Sequence, residues 1–83
     1  MEKTPAVAYI SYKIKNTDRV QLLEELKHAP LKKVDYDIML DIINGMTYKE
    51  LSCKYDKSEA GIASWKRRLF EQLHRYEMKN LGR

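Results

Sequence analysis

The stretch from Thr47 to Arg68 constrains the fold more than any other part of this chain, because it reads as two helix starts separated by a tight turn. Thr47 followed three residues later by Glu50 is a capping box, in which each side chain accepts from an orphaned backbone N–H. Ser58 is a second N-cap candidate. Asp56 falls in the turn between them, where Asp tolerates left-handed backbone better than most residues. Leu51, Ile62 and Trp65 supply the apolar contacts that press two such helices together. Upstream, Asn44-Gly45 stops an earlier helix and opens a turn.

The remaining chain reads as helices of the same scale. Thr4-Pro5 can start the first, since proline suits the first helical position. Val7, Ile10 and Ile14 fall at helical spacing, and Asn16 can end that helix. The same segment also alternates (Ala8, Ile10, Tyr12, Ile14), so residues 6–15 form a helix or a short strand. A lone strand needs a partner, which favours the helix. Thr17-Asp18 opens the next element, with Asp18 and Gln21 at capping-box spacing. Its core face is expected from Val20, Leu22, Leu23 and Leu26, with Glu24, Glu25 and Lys27 in water. Pro30 ends it by residue 29. Residues 31–43 make a third helix with Val34, Ile38, Met39, Ile42 and Ile43 inward. The last helix begins at Ser58 and runs past Tyr76, with Ile62, Trp65, Leu69, Leu73 and Tyr76 repeating every three or four residues. The expected architecture is all-α: four to five helices in one domain, 1–83. Residues 1–30 serve as a packing or dimerisation segment, and 31–83 as the unit carrying the helices at about 47–55 and 58–78.

Two short helices related in this way form a helix-turn-helix, whose second helix fits the DNA major groove. The pattern Gly45-x-Thr47-x-x-Glu50-Leu51-Ser52-x-x-Tyr55-x-x-Ser58-x-x-x-Ile62-x-x-Trp65-Lys66 resembles the helix-turn-helix of LuxR-type regulators and sigma-factor promoter-reading domains. The Trp65-Lys66 pair is similar to versions in insertion-sequence transposases and phage terminase small subunits. The resemblance spans roughly residues 35–75. It implies a DNA-binding regulator of bacterial or phage type, or a packaging or recombination factor, or a module that binds RNA polymerase or a sigma factor instead of DNA. Two positions depart from the pattern: Lys57 stands where an aliphatic residue is usual, and Gly61 where a small residue with a Cβ is usual. A glycine inside a helix costs about 1 kcal/mol relative to alanine, so a close contact at Gly61 is expected.

With the core residues of the last helix turned inward, about 100° per residue puts Ala60, Ser64 and Arg67 on the opposite face, flanked by Glu59 and Ala63. Small residues let the helix approach a groove closely, and Arg67 is the long donor on that face, suited to guanine O6 and N7. Tyr48, Lys49, Lys57 and Ser58 lie near the turn, where phosphate contacts are typical, and Lys66 and Arg68 flank the reading face. One arginine among small residues is a sparse reading set, so a homodimer with two half-sites is expected. Tyr9, Ile10, Tyr12 and Ile14, with Tyr76, Met78 and Leu81, supply apolar surface for self-association.

Net charge is +4, and it is uneven. Residues 1–30 carry five basic and four acidic side chains, and 31–57 carry five of each. Residues 58–83 carry six basic (Lys66, Arg67, Arg68, Arg75, Lys79, Arg83) against three acidic. The excess follows the second helix, as a phosphate-facing surface requires. It also suits the C-terminal end of any long helix. The single Cys53 excludes an internal disulfide. In a chain without a recognisable signal peptide, it points to a reducing cytoplasm, where a DNA binder would sit on the nucleoid. No apolar run approaches the ~20 residues of a membrane span. His28 and His74 are isolated, three glycines form no phosphate loop, and Ser52 and Cys53 have no neighbouring base, so neither catalysis nor a metal or other cofactor is expected.

Overall fold

In a computed structural model, residues 5–81 are described and form five helices: α1 Pro5–Asn16, α2 Arg19–Lys27, α3 Lys33–Ile43, α4 Tyr48–Tyr55 and α5 Glu59–Leu81. The architecture is all-α, as expected. Thr4, Arg83 and the side chain of Leu81 lie outside the described residues. Residues 6–15 are helical rather than extended. The alternation of their side chains is a by-product of an apolar stripe (Val7, Ile10, Ile14) that packs on the core.

The turns at both ends of α4 form by local rules. At the end of α3 the Gly45 N–H bonds the Ile42 carbonyl at 3.0 Å and the Met46 N–H bonds the Asp41 carbonyl at 3.0 Å. This closure needs a left-handed residue, which Gly45 supplies at φ 91°. Thr47 and Glu50 then form the reciprocal capping box, at 3.1 and 2.9 Å. At the end of α4 the same closure recurs with Asp56 in the left-handed position, φ 54°, and the Lys57 N–H on the Ser52 carbonyl. The Ser52 hydroxyl donates to the Lys57 carbonyl and ties the turn from the other side. Ser58 Oγ accepts from the Gly61 N–H at 3.0 Å and starts α5.

One continuous core joins all five helices. Ile10 (α1), Leu26 (α2), Ile38 and Met39 (α3), Leu51 (α4), and Ile62, Trp65, Leu69 and Phe70 (α5) are buried together. At 1.5 Å per residue, the 23 residues of α5 span about 34 Å. Its first turns pack on α4, and its distal half lies against α1 and the end of α2. The Tyr76 hydroxyl donates to the His28 carbonyl at 2.9 Å, and the Gln72 amide to the Pro30 carbonyl at 3.2 Å.

Several expectations fail in the first half. Val20 is 73% exposed, because two residues from Leu22 is about 200° around a helix, and Leu22 and Leu26 define the buried side. Val34 is 47% exposed: it sits in the first turn of α3 and leans toward that helix's open N-terminal end. Asp18 makes no side-chain cap; only its carbonyl starts α2, accepting from the Leu22 N–H at 2.9 Å. Glu25 does not simply face water, since it pairs with Lys13. Of the surplus apolar surface expected on α1, Ile10 and Ile14 are covered by the chain itself, whereas Tyr9 and Tyr12 are exposed.

Candidate nucleic-acid interface

Trp65 anchors α5 to the preceding helices and so fixes which way its outer face points. Its indole N–H donates to the Asp35 carboxylate at 2.8 Å, and its ring meets Tyr55 edge-on at 5.4 Å between centroids. A buried indole needs an acceptor, and Asp35, thirty residues earlier, provides it. Lys57 is accounted for locally: its ammonium lies 5.5 Å from the Trp65 ring centre, so a cation covers the indole. So is Gly61. A Cβ there would stand 3.2 Å from the Ser58 hydroxyl that caps the helix.

With Trp65 inward, Glu59, Ala60, Ser64, Arg67 and Arg68 are exposed and Ala63 is half-buried beside them. Arg67 and Arg68 have no hydrogen bond or ion pair among the described residues, and neither does Lys49 at the start of α4. Lys66 is different. Its ammonium lies 5.2 Å from the Tyr48 ring and 5.3 Å from that of Phe70, and it reaches the Tyr48 hydroxyl at 3.4 Å. That contact ties the start of α4 to α5, so Tyr48, Lys49 and Lys66 form one edge of the surface. Ser58 is exposed; its oxygen accepts in the cap, which leaves its O–H to donate. Of the sequence-derived set, Tyr48 and Lys66 are joined across α4 and α5, Ala60, Ser64, Arg67 and Arg68 are exposed along α5, and Lys57 lies instead over the inward-turned Trp65 ring.

A second polar cluster holds the helix pair in place. Asp41 on α3 accepts from the Tyr55 hydroxyl at 2.6 Å and from Lys54 at 2.9 Å. Burial alone would raise the Asp41 pKa, but these two donors outweigh it and hold the carboxyl below its ordinary range. Burial, reinforced by the bond to Asp41, pushes the Tyr55 phenol well above its ordinary value. At the capping box, the Thr47 N–H holds the Glu50 carboxyl low.

Two features escaped the sequence. Phe70 is fully buried although it lies off the apolar stripe of α5, because α1 packs on that side. Lys13 bridges Glu25 and Glu77, each at 2.5 Å, linking α1, α2 and α5. The signal for Phe70 was the unmatched apolar face of α1; nothing local marked Lys13. Apart from these, a cavity of about 310 Å³ lies between α1, α2 and α5, walled by residues such as Ile10, Leu22 and Leu73, with Lys13, Glu25 and Glu77 at its edge. No group of three or more His, Cys, Asp or Glu residues that could hold a metal ion occurs among the described residues. None of their helices is long and apolar enough to cross a membrane.

Comparison with protein-family models, with curated proteins and with solved structures gives no match.

Proposed function

We propose that this chain is a DNA-binding transcriptional regulator of bacterial or phage type that inserts the first turns of α5 into the major groove. The observation that carries the reading is the unpaired Arg67 on a row of small residues, Ala60, Ala63 and Ser64, along a capped helix anchored by Trp65. Small side chains admit the groove edges, and a free guanidinium presents the two donors that match guanine O6 and N7. Lys49, Lys57, Lys66 and Arg68, with the Tyr48 and Ser58 hydroxyls, border that face and suit phosphate. Glu71, one turn beyond Arg67 on the outer side, bounds the reading surface. Regulation would follow from occupancy near a promoter, by blocking or recruiting polymerase.

One arginine discriminates by about 1–3 kcal/mol at a single base pair, so we further propose a homodimer that places two reading helices on two half-sites. Met78, exposed on the distal part of α5, supports a contact there. Such a protein would act in the cytoplasm, on the nucleoid.

Selection from a random duplex pool, read by sequencing, tests this reading. A regulator enriches a short motif, and Arg67→Ala then loses affinity for that motif by about 10-fold or more while binding random duplex nearly as before. Recovery of no motif despite tight binding would favour a packaging or recombination factor. Absence of duplex binding would favour a module that recognises RNA polymerase or a sigma factor.

A further inference from the structure

Two lysines on α1, two residues apart, have opposite fates. Lys13 is consumed by Glu25 and Glu77. Lys15 is exposed and makes no hydrogen bond or ion pair among the described residues. Lys15 lines a groove of about 490 Å³ between α1 and the middle of α5, together with Ser11, Tyr12, Lys66 and Phe70. Among the described residues no acidic side chain lines that groove, and α1 has none along its length. Tyr12 is 71% exposed, and its hydroxyl also has no partner among the described residues. The groove therefore offers two cations and two hydroxyls with no counter-charge among the described residues. A lysine in the last turn of a helix also complements the helix dipole. That accounts for the position of Lys15, but not for the hydroxyls or the absence of acid around it.

Lys66 belongs to this groove and to the candidate interface at once. Its ammonium is steered between the Tyr48 and Phe70 rings, so it stands where the start of α4 meets the α1 groove. A row of phosphate-suited groups thus crosses three helices, from Lys49 and Tyr48 through Lys66 to Lys15, Tyr12 and Ser11. We propose that the α1 groove holds backbone phosphate of the duplex whose major groove α5 enters, making α1 a second DNA-contacting element. This inference rests on the DNA-reading assignment. Lys15 and Lys66 would neutralise the phosphate charge, and the Ser11 and Tyr12 hydroxyls would donate to phosphate oxygens. Such contacts position the protein without reading sequence.

The test uses the full chain carrying Lys15→Ala, whose side chain takes no part in the core. Lys32→Ala, at an exposed position just before α3 and outside the groove, is the control. Fluorescence anisotropy follows binding to random and selected duplexes across a salt series, and thermal denaturation checks the fold. Lys15→Ala should weaken both duplexes by the same several-fold factor at low salt and make the log–log salt slope shallower by about 0.9. Ser11→Ala and Tyr12→Phe should give smaller losses of the same uniform kind, and Lys32→Ala should bind as the parent does. Wild-type affinity and slope in Lys15→Ala, with Arg67→Ala still losing the selected site, would overturn the α1 contact and leave the DNA reading standing. A parent protein that binds no duplex at low salt would overturn both. Lys15-dependent binding to phosphatidylserine vesicles in its place would transfer the groove to a membrane surface.

Discussion

The two halves of this molecule are held by different kinds of interaction. Between residues 41 and 61 nearly every backbone direction is set by a neighbour in sequence: Gly45 in a left-handed closure, the Thr47–Glu50 box, Asp56 in the second closure, Ser58 on the Gly61 N–H. The N-terminal helices have little of this. Asp18 and Lys32 make no side-chain cap. Instead α1 and α2 are fixed by distant partners: Lys13 on Glu77, the Tyr9 hydroxyl on Glu77 at 3.2 Å, Tyr9 edge-on to His74, and Tyr76 on the His28 carbonyl. Local chemistry shapes the candidate interface, and tertiary chemistry straps α1 and α2 across the distal half of the helix that carries it.

The sharpest way to break this comparison is to ask whether the halves unfold separately. They share one core, so Trp65→Ala and Ile10→Ala should each lower stability in a single transition. Truncating the tryptophan should cost about 3–5 kcal/mol and the isoleucine about 2–5 kcal/mol. A chain of this size has roughly 4–12 kcal/mol in total. Urea denaturation followed by far-UV circular dichroism, with Trp65 fluorescence as a second probe in Ile10→Ala, checks this. Two separated transitions in Ile10→Ala would mean that the helix-turn-helix stands without its N-terminal strap.

The same distinction was visible in how far the sequence could be read. Turns made of neighbouring residues were legible: the Thr47–Glu50 spacing, Ser58 as a cap, Asp56 as the left-handed residue, and the helical repeat that turned Trp65 inward. Contacts across long separations were not. Nothing near Lys13 announces Glu77 sixty-four residues later, and Phe70 is buried in a core that it shares with Ile10 of α1. Val20 reads as inward because it is apolar, but the angular spacing that Leu22 and Leu26 impose turns it to solvent. On the candidate interface, residue positions followed from the repeat, whereas the Tyr48–Lys66 and Lys57–Trp65 contacts required the fold.

Next in size is the pH response, which should differ between the two polar hubs. The Asp41 carboxyl is held low by Lys54 and Tyr55, so its contribution is present above the ordinary aspartate pKa and lost as pH falls through the depressed folded value. Burial works against the charge of Lys13, but the bonds from Glu25 and Glu77 outweigh it and raise its pKa. That contribution is complete below the ordinary lysine pKa and is lost as pH rises through the folded value. At neutral pH, Asp41→Asn and Lys13→Met should each cost on the order of 1–2 kcal/mol. The Asp41→Asn deficit should shrink toward acid and the Lys13→Met deficit toward alkali. Chemical denaturation across pH measures both, and parallel curves would remove the distinction between the hubs.

The smallest effects probe the turns themselves. Ser58→Ala should destabilise by about 1 kcal/mol through loss of the cap on the Gly61 N–H. Asp56→Gly should stabilise by up to about 1 kcal/mol, since glycine adopts the left-handed backbone without a Cβ penalty. Thermal melts resolve these differences, and a destabilised Asp56→Gly would mean that the aspartate side chain itself supports the turn.

The central claim, that this surface meets DNA, is tested most directly by the affinity of the unmodified chain for random-sequence duplex measured against salt. Three to five phosphates neutralised by lysines and arginines around α5 and α1 should give tight binding at low salt and a log–log slope of about −2.7 to −4.5. A slope near zero, or no binding at low salt, would contradict the account.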